Sequence, residues 1–404
     1  MSNNRSWAIS ILATFILLSA IGGGFWLGHH RAFFKIRKVV PELNRPTSVY
    51  YYTAREYPTI LDDPNIRARY ASLYELPTNS NRDVIEHTLK NAGWHPAMAP
   101  KPFLGIQPQP SPVKLFKINS YGFRDSKNNY LPKPSSVIRV FLTGGSVAFG
   151  AGAKSGDETI SGYLEKRLNS LYSSQTGFTY EVVNAGVPAW TTTHERILIE
   201  NKLIDLQPDY IIMISGTDDA HWALLETEDI MDFWTYIDRD FMLVMNNAYN
   251  GLRFPPAVPF LDLQSETPSC QRVARVAHRN VSLATHASNI AGIDLAFVLM
   301  PTLYSTKKTL TQTEAKHVET FGKGVVVEKP IWDACYEAIR HDLSFIGSEN
   351  YKFLDFSRAF SSLGAKAEVF IDTYHFANAG NRKIAELLEK KIDWLSLRPN
   401  KSQP

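Results

Sequence analysis

Three residues of this 404-residue chain have the types that nucleophilic catalysis needs: Ser146, in the stretch FLTGGSVAFG (141–150), and Asp372 and His375, in FIDTYHFANAGN (370–381). A serine hydroxyl is a weak nucleophile until a neutral imidazole within hydrogen-bond reach takes its proton. A carboxylate on the other ring nitrogen fixes the tautomer and stabilises the imidazolium that forms. Asp372 and His375 stand three positions apart, so a tight turn would let both side chains face the same way. Taken singly, Ser146 reads as a helix N-cap and the aspartate–histidine pair as a surface ion pair or cap. Only their combination points to an activated nucleophile, and it requires segments more than two hundred residues apart to meet.

The elements able to bring them together are legible from Val137 onward. VIRVFLTGG, YEVVNAG, DYIIMISG, DLAFVLMP and YKFLDFS are short apolar runs that end near glycine, proline or a small polar residue. Between them lie helical stretches such as ISGYLEKRLNSLY, THERILIENKLIDL, WDACYEAIRHDLSFIG and NRKIAELLEKKIDWL. Strands buried on both faces and separated by helices imply a parallel sheet in a three-layer α/β/α, doubly wound domain. In such a sheet the residues just after the strands converge on one edge. Ser146 comes after the first strand, Asn184, Gly186 and Pro188 after the second, and Ser215 to Asp219 (SGTDD) after the third, while Asp372 and His375 precede the last helix. The backbone amides of Ser146 and Gly186 are candidate donors to a developing oxyanion, and Gly144 and Gly145 allow close backbone approach.

The Gly-x-Ser after strand one, the lone glycine after strand two, the Gly-x-x-Asp after strand three and the late Asp-x-x-His are similar to the four blocks of the SGNH (GDSL-type) hydrolase family. NSYGFRD (119–125) and GDETISGYLEKRL also resemble a bacterial, membrane-anchored branch of it, and the resemblance covers about residues 115 to 395. It implies a flavodoxin-like fold and an esterase site, with Ser146 as nucleophile, His375 as general base, Asp372 as its partner and the Ser146 and Gly186 amides in the oxyanion hole. The family carries asparagine where this chain has Asp218, and an ionised aspartate would repel the oxyanion. Losing one such donor costs about 10²- to 10³-fold in rate. Three outcomes stay open: a protonated Asp218, an Asp218 turned away while Thr217 or His221 donates, or a slow or lost enzyme. The first block reads Gly-Gly-Ser where Gly-Asp-Ser is usual, a change outside the chemical groups. GGSVA also approaches the Gly-x-Ser-x-Gly elbow of α/β-hydrolases, but a serine after the first strand, with acid and base in one turn, fits the SGNH pattern better.

Other chemistries find less support. With 43 Lys and Arg against 40 Asp and Glu, the net charge of +3 gives no nucleic-acid surface. GAGAKSG completes neither a Walker A motif nor a dinucleotide fingerprint, and Asp218, Asp219, His221, Asp372 and His375 show no metal-specific spacing. No cofactor or metal is expected. Two insertions, about 221–268 and 303–328, leave C-terminal strand ends and are candidate substrate loops. The first holds Trp222, Phe233, Trp234 and Tyr236, rings able to stack on a sugar or simply to pack.

At the N-terminus, Ser6 to Gly28 is 23 residues without a charge. As a helix it would run about 34 Å, enough to cross a hydrocarbon core of about 30 Å. A transmembrane anchor is the expectation, with a signal peptide cleaved after Gly22 as the alternative. Arg31, Lys35, Arg37 and Lys38 lie after the helix and only Arg5 precedes it, which counted literally would keep the remainder cytoplasmic. Short-tailed signal anchors often translocate the downstream domain, so a single-pass protein with an extracytoplasmic, periplasmic-side domain is expected. Cys270 and Cys335 could form one disulfide or serve as small buried hydrophobes. The domains read as an anchor (1–30), a membrane-proximal spacer (31–114), the SGNH-like domain (115–396) and a tail (397–404). The expected activity is that of a serine esterase removing an acyl group such as acetyl from a cell-envelope carbohydrate or a small ester. Acyl transfer by the same triad and non-catalytic glycan binding are the alternatives.

Overall fold

The computed structural model describes residues 64–74, 76–77, 79–91, 96, 98–101, 103–110, 117–225, 270–312, 314–315, 329–364 and 367–400. The chain divides into two compact units, and all of these residues belong to the one formed by Ala54–Arg239 and Asp262–Pro404. The expected anchor over residues 6–28, most of the aromatic insertion and residues 316–328 lie outside the described residues. Among the described residues no helix is long and apolar enough to cross a membrane.

Each of the five apolar runs forms a strand: β3 (Val137–Gly144), β4 (Thr179–Asn184), β5 (Tyr210–Ser215), β6 (Asp294–Leu299) and β7 (Tyr351–Asp355). All pair in parallel, in the order β4-β3-β5-β6-β7. Counted from β3 this is 2-1-3-4-5, the flavodoxin-type order, whose ligand crevice opens at the carboxyl ends of the strands beside the reversal. The reversal falls at β3, whose C-terminal end leads into Ser146. An antiparallel hairpin, β1 (Met98–Lys101) and β2 (Gly105–Pro108), stands apart from this sheet.

Side-chain alternation splits the sheet between two cores. Phe141, Ile211, Met213 and Phe297 enter one, with Val273, Trp332 and Ile339. Val140, Leu142, Ile212 and Val298 enter the other, with Leu164, Leu168, Ile384 and Leu388. Upstream of the sheet lie α1 (Pro64–Leu73) and α2 (Arg82–Asn91). Within the α/β region are α3 (Ser146–Phe149), α4 (Ile160–Thr176), α5 (Thr192–Leu198), α6 (Thr217–Leu225), α7 (Cys270–Ile290), α8 (Lys329–Ser344) and α9 (Asn378–Lys391). The expected stretch 193–206 is less regular than its pattern, since α5 passes into a π turn and then a 3-10 turn before β5.

Cys270 and Cys335, for which the sequence allows two readings, are bonded to each other and tie the first residue of α7 to α8 across 65 positions. Closing a loop of that length in the unfolded chain is worth about 4 kcal/mol on the chain-entropy account. Reduction, or Cys335→Ala, should therefore lower the thermal midpoint by several degrees. An unchanged midpoint would show that helix packing alone holds this pair together.

Candidate active site

Ser146 is the first residue of α3, and Gly145 is that helix's N-cap. The serine is therefore not the cap, and its hydroxyl is directed elsewhere. Ser146 Oγ lies 2.6 Å from His375 Nε2. On the other side of the ring, His375 Nδ1 lies 2.7 Å from Asp372 Oδ2. The three catalytic candidates thus form one hydrogen-bonded chain at the carboxyl end of β3, with His375 buried and Ser146 half-buried.

The loop carrying Asp372 and His375 is shaped by its own backbone. Phe370 and Phe376 form an isolated antiparallel bridge, and the Ile371 amide donates to the His375 carbonyl at 2.9 Å. Inside this narrow turn, Asp372 Oδ1 accepts the amides of Tyr374 (2.9 Å) and His375 (2.7 Å), leaving Oδ2 for the imidazole. Burial alone would raise the Asp372 carboxyl. The charge and hydrogen bond of His375, with the two amides, outweigh it and hold the group below the usual carboxylate range. The ionised Asp372 keeps the proton on Nδ1, so Nε2 is the basic nitrogen facing the serine. Asp372's contribution is complete above the ordinary carboxylate range and lost as acid protonates it below.

Further groups fix the nucleophile. Arg124, from the NSYGFRD stretch, donates to the carbonyls of Phe149 (3.1 Å), Gly150 (2.7 Å) and Ala153 (3.1 Å), which secures the end of α3. Burial lowers its guanidinium to about 10, so it stays charged at neutral pH. Asn184 donates to the Phe149 carbonyl at 3.1 Å. Its Oδ1 accepts the Gly186 amide, also at 3.1 Å. Gly186, expected as an oxyanion donor, is thus engaged by Asn184, and a Cβ there would overlap the Phe149 backbone nitrogen. The first amide of a helix has no intrahelical acceptor, which leaves the Ser146 N–H as the other expected donor.

Asp218 is half-buried beside the nucleophile turn, where a Cβ added to Gly145 would collide with its Oδ2. The two departures from the family pattern therefore meet: glycine before the serine makes room for the carboxylate that stands in place of asparagine. No local signal in the sequence links positions 145 and 218, so this pairing is visible only in the fold. Of the substitute donors considered, Thr217 is committed elsewhere. Its hydroxyl shares a 2.6 Å hydrogen bond with Tyr336 Oη, which also lies 3.2 Å from the Met300 carbonyl, so Thr217 is held by Tyr336. His221 lies by the triad, with its ring centroid 5.8 Å from that of Tyr374, which is 4.9 Å from His375. Burial and the nearby charge of His375 push His221 down to about 4, which leaves it neutral at pH 7. Asp219 is buried and accepts the Thr192 amide and hydroxyl, stapling α6 to α5. Behind it the buried Glu195 carboxyl is raised well above its usual range by desolvation. Among the described residues no three His, Cys, Asp or Glu side chains are grouped as metal ligands.

No family model matches the sequence, and no curated protein does. Solved structures do align with it, at low identity and score. An acetylxylan esterase from Geobacillus stearothermophilus aligns at 13% identity over 67% of this chain and 100% of its own, with a TM-score of 0.38. An α/β hydrolase enzyme from the metagenome of Lake Arreo aligns at 14% identity, over 63% and 94%, with a TM-score of 0.38. A protein from Desulfitobacterium hafniense DCB-2, described as lipolytic and of the G-D-S-L family, aligns at 12% identity, over 63% and 99%, with a TM-score of 0.35. At such identities and scores the chemistry has to be carried by this chain's own geometry.

The contact between positions 145 and 218 has a measurable consequence. Gly145→Ala should cost about 1 to 3 kcal/mol as an overpacked site, and most of that cost should vanish in an Asp218→Ala background. Equal costs in the two backgrounds, read from denaturant midpoints, would show that the carboxylate does not fill this space.

Proposed function

We propose that the protein is an SGNH-type serine esterase. The observation that carries this reading is the continuous chain from Ser146 Oγ through His375 to Asp372, at 2.6 and 2.7 Å. His375 Nε2 takes the hydroxyl proton as Oγ attacks the ester carbonyl carbon. The imidazolium, steadied by Asp372, returns that proton to the leaving alkoxide as the tetrahedral intermediate collapses to an acyl-serine. Water, deprotonated by the same nitrogen, then releases the acid and restores the serine. The oxyanion is received by the Ser146 amide, and the Gly186 amide joins it by exchanging Asn184 Oδ1 for the substrate oxygen.

The substrate we assign is a short acyl ester, such as an acetyl group, on a carbohydrate of the cell envelope. Two features support this setting: the uncharged stretch 6–28, which suits a single-pass anchor, and the Cys270–Cys335 bond, since disulfides persist mainly in oxidising, extracytoplasmic compartments. Transfer of the acyl group to a sugar hydroxyl uses the same steps with that hydroxyl in place of water.

One observation favours a second reading. With a carboxylate at position 218 and the Gly186 amide engaged, the site could serve as a glycan-binding pocket with a spoiled oxyanion hole. Hydrolysis of a nitrophenyl acetate ester by the purified protein separates the two. The esterase reading predicts a rate at least about 10³-fold above that of Ser146→Ala. It also predicts a gain of up to about 10²-fold in Asp218→Asn, where an amide donor replaces the carboxylate. A parent rate no higher than Ser146→Ala would leave only the binding role.

A further inference from the structure

The loop that carries Asp372 and His375 is held by two segments outside the α/β scaffold. Arg69, on α1, donates from Nε to Glu368 Oε1 at 2.5 Å and from its terminal nitrogen to the Phe370 carbonyl at 3.2 Å. From the other side, Glu314 Oε1 accepts the amides of Val369 (3.2 Å) and Phe370 (3.4 Å). Its Oε2 is 2.5 Å from Lys308 Nζ, in an ion pair with no exposure on either side. Thr311 links the two supports by donating to Glu368 Oε1 at 3.2 Å. The Leu303 amide donates to the Thr373 carbonyl at 2.8 Å. Beneath the loop, Ile371 and Ala377 share a small core with Tyr70, Ala71, Leu73, Tyr74 and Ile85. Ile371 directly precedes Asp372, and Phe370 bridges to Phe376 beside His375, so these supports act on the backbone that sets the imidazole.

We propose that α1 and the segment carrying Leu303, Lys308, Thr311 and Glu314 form a clasp on this loop, and that Arg69 is a positioning residue for the Asp372–His375 pair. This rests on the esterase reading for its kinetic consequence only. The segment read from sequence as a spacer then does more than separate the domain from the membrane: its docking sets whether the general base is aligned with Ser146. A near-attack geometry tolerates little error, and a shift of about 1 Å can cost about 10²-fold in rate. Arg69's bonds to the loop go to Glu368 and to the Phe370 carbonyl, so it reaches the Asp372–His375 pair through them. Losing it should lower turnover without changing how a small ester binds.

The test compares the full chain with Arg69→Ala, Arg69→Lys and a stability control, Lys133→Met. Lys133 pairs with the buried Asp209, 2.6 Å away, just before the start of β5 and away from the triad. The proposal predicts that Arg69→Ala loses about tenfold or more in kcat, with KM for nitrophenyl acetate held within about twofold. Arg69→Lys should recover part of the loss. Lys133→Met should lower the thermal midpoint at least as far yet keep kcat. Should Arg69→Ala not fold, Arg69→Gln, which removes the charge from a similar length of chain, carries the same expectation. A second readout does not depend on hydrolysis: the far-downfield proton resonance of the His375 N–H bonded to Asp372 should be sharp in the parent and in Lys133→Met, and broadened or lost in Arg69→Ala. Retention of both kcat and this resonance in Arg69→Ala, or a loss no greater than in Lys133→Met, would overturn the proposal. A parent without turnover would sink the esterase reading, while the resonance alone would still decide the clasp.

Discussion

The hydrogen bond between Ser146 and His375 spans 229 positions of the chain, and the remainder of the fold can be understood by what it takes to make it. A serine at the end of β3 has one side open to solvent, so its base must arrive from a segment that passes over the same sheet edge. The 2-1-3-4-5 order supplies that arrangement: β3 lies inside the sheet, flanked by β4 and β5, and α9 begins just after His375. The imidazole is then fixed at three levels. Asp372 holds the ring, the Phe370–Phe376 bridge holds the turn, and side chains from outside the sheet hold the bridge. Each level would be of little use without the one beneath it.

The same edge shows where the site departs from the pattern it resembles. Asp218 and Gly145 occupy one small volume, so the change at one position makes sense only with the change at the other. A carboxylate there is unfavourable for stabilising a second negative charge. The neighbouring acidic groups make the surroundings more demanding, since Glu195 and Asp219 are both raised by burial. The triad itself is bonded in sequence, so it is this corner, and not the triad, that sets the site apart from the pattern it resembles.

Much of this architecture is legible in the amino-acid sequence. The three inner strands β3, β5 and β6 are visible because strands buried on both faces read as continuous apolar runs, while the edge strands β4 and β7, partly exposed, are marked by their β-branched and aromatic residues. Ser146 is placed by its position directly after the first strand, as Asp372 and His375 are by theirs before the last helix. The helix over 193–206 is legible in its existence but not in its π and 3-10 turns, because apolar periodicity does not report a change of winding. The pairing of Cys270 with Cys335 cannot be read from spacing alone. The Arg69–Glu368 and Lys308–Glu314 pairs leave no sequence signal either, because an isolated charge on a short helix or in a loop ordinarily reads as a solvated one. Gly186 shows the opposite limit. Its place after the second strand is as expected, yet the direction of its amide depends on Asn184, a contact only the fold reveals.

Covalent trapping addresses the activation of Ser146 most directly. Brief exposure of the intact protein to a fluorophosphonate, followed by peptide mass spectrometry, asks whether one serine is more reactive than all the others. A single phosphonyl adduct is expected on the peptide containing Ser146, together with its loss when His375 is replaced by alanine. No adduct at Ser146, or one that forms equally well without the imidazole, would show that the serine is not activated by this histidine.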